Sequence, residues 1–236
     1  MIIYPAIDLR GGKVVRLKEG DPARMTAYSD DPAEMARRWL GMGAAWLHVV
    51  NLDGAFGESD DANRSALEAI LKLGAQMQFG GGMRSLDAVE NAIELGVSRV
   101  VLGTIAIEQP KVVIAALKKF GPEKIAVGID ARDGLVAVRG WKSDTGILAK
   151  NMALQMRTVG LRTVIFTDIR RDGLGSGLNI AATKELADVS GLDLIASGGV
   201  HTLDDVIAAR DAKLSGAIIG RALYEGTIDL EKALQV

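Results

Sequence analysis

Short apolar runs recur along the chain, each followed by a polar or glycine-rich turn and then by apolar positions at helical spacing. The runs predict strands near Ile2–Ile7, Trp46–Leu52, Met77–Phe79, Arg99–Leu102, Ile125–Ile129, Thr163–Thr167, Asp193–Ala196 and Gly216–Ile219. The helical spacing predicts helices over Pro32–Met42, Ala62–Leu73, Ser85–Leu95, Gln109–Lys119, Thr145–Val159, Ile180–Val189, Thr202–Ala212 and Asp229–Leu234. Runs such as Ile125-Ala126-Val127-Gly128-Ile129 lack polar alternation, as expected of parallel strands covered on both faces. Eight strand–helix units fit a closed α/β barrel, (β/α)8, better than an open doubly wound sheet, although closure is not written in local pattern.

The pattern also repeats. Gly81-Gly82-Met83 matches Gly198-Gly199-Val200, and at the same offset of 117 residues Ser85-Leu86-Asp87-Ala88-Val89 matches Thr202-Leu203-Asp204-Asp205-Val206. Gly103 falls on Gly220 and Asn51 on Asp168. An offset near half the chain predicts two half-barrels of four units, roughly residues 1–120 and 121–236, within one domain. No charge block or low-complexity stretch interrupts the 236 residues.

Composition narrows the function. A net charge of -2 argues against a general nucleic-acid or membrane-surface binder, so an anionic ligand has to be held locally. The absence of cysteine excludes disulfides and thiolate metal sites, and two histidines leave no HExxH-type ligand set. The first ten residues carry Asp8 and Arg10, unlike a signal peptide or a membrane span, and a cytoplasmic location is the default expectation.

Glycines end the third and seventh strands, as Gly80-Gly81-Gly82 and Ser197-Gly198-Gly199, each before a helix opened by Ser85 or Thr202. Second glycines follow the next strands in Gly103-Thr104 and Gly220-Arg221. Loops after strands seven and eight of such a barrel bind phosphate, and the repeat supplies the same pair after strands three and four. With Arg84 and Arg221 beside them, these loops predict two phosphate sites on opposite sides of the mouth. A single cluster would equally suit a tight turn.

Carboxylates at strand C-terminal ends are candidates for acid–base work: Asp8, Asp130, Asp168 and Asp172. Any one of them alone reads better as a loop cap, least so Asp8, which follows an apolar strand and leads into Arg10-Gly11-Gly12-Lys13. His48, inside Trp46-Leu47-His48-Val49-Val50, reads by itself as a structural group, and His201 as a surface one. Trp141, between Arg139 and Lys142, suggests a ring exposed for stacking on a planar ligand.

These residues lie in motifs that resemble the histidine-biosynthesis isomerases acting on phosphoribosylformimino-aminoimidazole carboxamide ribotide. The resemblance runs through PAIDLRGGKVVRL, LHVVNLDGA, GGGMRS, GIDARDG with RGW, TDIRRDG, ASGGV and IGRALYEG, nearly the whole chain. It implies an Amadori rearrangement of an aminoaldose to an aminoketose, with no cofactor or metal, on a small molecule phosphorylated at both ends. It further implies Asp8 as base, Asp172 as acid with Asp130 competing for that role, and Thr167 in support. Arg16, His48 and Arg139 would position the substrate, and Trp141 would stack on its imidazole. A monomer is expected. Departures from the family pattern fall at Asn51 and in the sixth loop, Leu174-Gly175-Ser176-Gly177-Leu178-Asn179. Three other readings share the scaffold: a related cyclase, a bifunctional isomerase that also takes phosphoribosylanthranilate, and a phosphate-binding barrel without catalysis.

Overall fold

Strands that are apolar on both faces need cover twice, and a barrel wrapped in helices provides it. A computed structural model describes all residues from Met1 to Val236. Its strands are β1 (Ile2–Arg10), β2 (Lys13–Lys18), β3 (Asp21–Ser29), β4 (Trp46–Asn51), β5 (Gln76–Gly80), β6 (Arg99–Leu102), β7 (Ile125–Arg132), β8 (Leu135–Val138), β9 (Ser143–Leu148), β10 (Thr163–Asp168), β11 (Asp193–Ser197) and β12 (Gly216–Ile219). Eight of these, β1-β4-β5-β6-β7-β10-β11-β12, pair in parallel in chain order. The ring closes where Ile2–Pro5 of β1 pair with Gly216–Ile219 of β12. The expected (β/α)8 barrel is the fold.

Side-chain alternation divides the core in two. Ile7, Leu47, Met77, Val127, Val164, Leu194 and Ile219 point outward into the main layer beneath the helices. Tyr4, Ala6, Val101, Ala126, Ile165, Ile195 and Ile218 point inward and fill the lumen. At the N-terminal end of the strands the floor is closed by Tyr4 packed edge-on to Trp46, with the Arg99 guanidinium 4.8 Å from the Trp46 ring. The helices start where polar caps allow: Asp31 accepts from the Glu34 amide ahead of Pro32, Ser85 from that of Ala88, and Thr202 forms a reciprocal box with Asp205.

The two halves each carry an excursion that apolar periodicity did not predict. β1 runs on into the antiparallel β2–β3 hairpin, and β7 into β8–β9. The second corrects the helix expected over Thr145–Val159, which spans only Ala149–Thr158. Residues 143–148 are strand instead, because Ser143 pairs with Val138 and the Thr145 hydroxyl donates to the Val136 carbonyl at 2.8 Å. Leu52, expected to end a strand, opens a short helix capped by Asn51. Further one-turn helices at Ile105–Glu108 and Arg221–Tyr224 follow β6 and β12.

Candidate active site

Strand direction gathers the inward residues nearest the C-terminal ends around one cavity of about 690 Å³. Asp8, His48, Asp130, Arg139, Trp141, Thr167 and Asp172 all line it, with Arg16 reaching in from the β2–β3 hairpin. Three of the four candidate carboxylates, Asp8, Asp130 and Asp172, therefore share one mouth, whereas Asp168 does not line it and accepts from Asn179 Nδ2 at 2.7 Å.

Arg16 organises that mouth. Its guanidinium bonds to Asp8 at 2.8 Å and stands 3.9 Å from Asp172, all three side chains being mostly buried. Burial pushes the Asp8 carboxyl up to about 6, against the pull of Arg16 and with a further push from Asp172. Burial raises Asp172 as well, again opposed by Arg16. Asp130 is also raised by burial, while bonds from Trp141 and Thr167 pull it down. Burial and the charge of Arg16 hold His48 down to about 3, so its ring is neutral at ordinary pH.

The resemblance placed Trp141 for stacking, and its setting is more constrained than an exposed ring. Its Nε1 donates to Asp130 at 2.8 Å and its ring lies against Gly20 in the β2–β3 turn. Arg139, Gly140 and Trp141 all have left-handed φ, at 57°, 64° and 67°. Such backbone costs about 1 kcal/mol or more at a non-glycine residue. The turn is held by the Arg139 amide donating to Thr104 Oγ1 at 2.9 Å, and the Arg139 side chain is engaged by Glu108 at 2.8 Å.

The glycine loops repeat in three dimensions as in sequence. Gly81 and Gly198 have φ of 98° and 88°, and a Cβ on either would collide with the preceding strand's end. On Gly81 it would stand 2.1 Å from the Asn51 carbonyl, and on Gly198 2.7 Å from that of Asp168. The matched residues Asn51 and Asp168 thus play one role twice. Gly82, Arg84, Gly103 and Thr104 line the cavity on the first side. On the second, Ser197, Gly198, Gly199, Gly220 and Arg221 form an adjoining pocket with Arg16. A Cβ on Gly220 would meet the Arg16 guanidinium at 2.5 Å, and Arg16 Nε is buried without a protein partner.

The sixth loop, which carries Asp172, is braced by hydrogen bonds despite its unusual sequence. The Gly177 amide donates to the Gly199 carbonyl at 2.9 Å, Arg171 Nη1 to the Gly177 carbonyl at 3.1 Å, and Arg221 Nη1 to the Gly173 carbonyl at 2.7 Å. Asn51 is equally well placed, buried with its Nδ2 on Asp60 Oδ2 at 2.7 Å. His201, expected at the surface, is half-buried with its ring against Gly175. Sequence reasoning passed over Gln78, a fully buried glutamine bonded to His48. Its inward register in β5 was the available signal. No group of three or more His, Asp or Glu side chains is arranged to hold a metal ion, and no helix is long and apolar enough to cross a membrane.

Residues 2–229 match the family model described as histidine biosynthesis protein. Similar proteins include one from Syntrophomonas wolfei, 49% identical over 100% of this chain and 98% of its own. A second, from Dinoroseobacter shibae, is 48% identical over 100% and 99%, and a third, from Roseobacter denitrificans, 47% over 100% and 98%. Each is named an isomerase of an imidazole-4-carboxamide carrying a 5-phosphoribosyl group and a (5-phosphoribosylamino)methylideneamino group.

Proposed function

The chain belongs to the histidine biosynthesis protein family, and from that premise we propose that it isomerises the same doubly phosphoribosylated imidazole carboxamide, turning an aminoaldose into an aminoketose. One observation carries the reading: two matched glycine-loop pairs flank a single cavity that contains opposed, buried carboxylates. The substrate has a phosphoribosyl group at each end, and two anion-accepting loops on opposite sides of the mouth suit that shape.

The surroundings of the carboxylates support a division of the chemistry between them. Asp172, raised by burial and farther from Arg16, gives a proton to the furanose ring oxygen, opening the ring to a Schiff base. Asp8, with Arg16 bonded to it, is largely ionised at neutral pH and takes the proton from C2. Asp8 returns its proton at C1 of the resulting enaminol, and the C2 hydroxyl gives its proton back to Asp172 as it becomes the ketone. The product is therefore an isomer, both carboxyls end as they began and no electrons leave the substrate. Thr167 and Trp141 hold Asp130 by hydrogen bonds beside this path. His48 and Arg139 orient the substrate, and Trp141 offers a ring face to the imidazole.

Asp8→Asn is the direct test. The variant should bind the ribotide about as well as the unmodified protein by calorimetry and lose roughly 10²–10⁴-fold in kcat. Turnover within a few-fold of normal removes Asp8 as base.

A further inference from the structure

His48 does not act alone on its strand. It is the register neighbour of Gln78 on β5, and Gln78 is the register neighbour of Arg99 on β6. The three side chains form a polar ladder from the cavity to the barrel floor. Arg99 Nη1 lies 3.4 Å from Gln78 Oε1, and Gln78 Nε2 lies 3.0 Å from His48 Nδ1.

We propose that Gln78 and Arg99 are positioning residues that hold His48 in one tautomer, with Nδ1 as acceptor and Nε2–H left free to donate into the cavity. The assignment follows from donor inventory. A guanidinium has no acceptor, so the oxygen of the Gln78 amide must face Arg99. Its NH₂ then faces His48, so Nδ1 accepts and the ring proton sits on Nε2. Nε2 has no protein partner and is not among the buried unpartnered atoms, while the ring lines the cavity one layer below Asp8. Arg99 is itself fixed by Tyr4, by the Glu123 carbonyl and by the Trp46 ring.

The opposite half-barrel shows that the fold has no need of this ladder. At the same offset and in the same register stand Ile165, Ile195 and Gly216, across β10, β11 and β12. Ile165 and Ile195 belong to the apolar lumen. A buried glutamine is costly unless fully bonded, and an isoleucine in its place satisfies the same barrel geometry. Under the proposed function, the ladder gives the substrate a neutral, fixed donor next to the base.

Nitrogen-15 NMR of the imidazole rings in the intact protein tests this, His201→Asn separating the two histidine spectra. The unmodified protein should show His48 protonated at Nε2 alone. Gln78→Glu, which can only accept from the ring, should move the proton to Nδ1 or protonate both nitrogens, and should lower kcat/KM about tenfold. Gln78→Ile copies the other half-barrel, should fold, and should leave the two tautomers mixed. An Nδ1–H or averaged ring in the unmodified protein overturns the proposal, as does a tautomer unchanged by Gln78→Glu. A moved proton with unchanged kcat/KM overturns the positioning role. Failure of the unmodified protein to turn over the ribotide would instead remove the proposed function, with the tautomer still readable.

Discussion

Replacing Arg16 by methionine should move the acid limb of the pH–rate profile upward. Burial raises the Asp8 carboxyl to about 6 even with Arg16 bonded to it at 2.8 Å. An adjacent arginine typically lowers an aspartate by about 1–3 units, so its removal should carry the limb to roughly pH 7–9. For a shift of about two units, the ionised fraction at pH 6.5 would fall roughly 25-fold. The assay is kcat/KM for the ribotide across pH 5–9, each profile normalised to its own plateau because Arg16 also lines the phosphate pocket. Substrate phosphates titrate near pH 6 too, but in both proteins alike, so only the difference between profiles is read. Asp172 pushes Asp8 up, so any residual activity of Asp172→Asn should show the opposite shift. A limb that stays in place in Arg16→Met, or moves down, would refute the assignment of the limb to Asp8.

Stability should also register the site. Burial lowers His48 in the folded state to about 3, below its unfolded value of 6.5, so its contribution is present above 6.5 and is lost as pH falls toward 3. Between pH 7 and 5 this group alone costs about 2 kcal/mol of folding stability, a slope that urea titration should find reduced in His48→Gln. Asn51→Asp would set a carboxylate 2.7 Å from that of Asp60 and should destabilise by about 1–3 kcal/mol at pH 7 and less at pH 4; equal stability at pH 7 would contradict the hydrogen-bond account. Gly198→Ala should lower stability by about 2 kcal/mol or more through its left-handed backbone and the Asp168 carbonyl, whereas Gly103→Ala, with open space around it, should be nearly silent in thermal unfolding.

The barrel was legible because its signals are local or periodic: eight apolar runs, their helices, and the 117-residue offset joining Gly81 to Gly198. The same offset makes the twin loops readable in the sequence itself. The hairpins were not, since β2 and β8 are short apolar stretches within loops, and Thr145 faces Val136 only through pairing distant from helical periodicity. The carboxylates could be nominated one by one, yet their grouping around Arg16 depends on how the β2–β3 hairpin folds over the mouth. Gln78 was missed for a similar reason. Its partners His48 and Arg99 lie 30 and 21 residues away, and only strand register makes them neighbours. The unusual sixth loop and Asn51, read from sequence as departures, turn out to have their own bonding partners.

The most direct test of the central claim is steady-state turnover of the doubly phosphoribosylated imidazole carboxamide by the unmodified protein, followed by absorbance, beside an analogue lacking one terminal phosphate. The account predicts conversion to the aminoketose isomer, with kcat/KM for the analogue down by at least about 100-fold because one glycine loop is left empty. No isomerisation of the full substrate would contradict the proposed activity, and equal turnover of the analogue would contradict the two-site reading of the cavity.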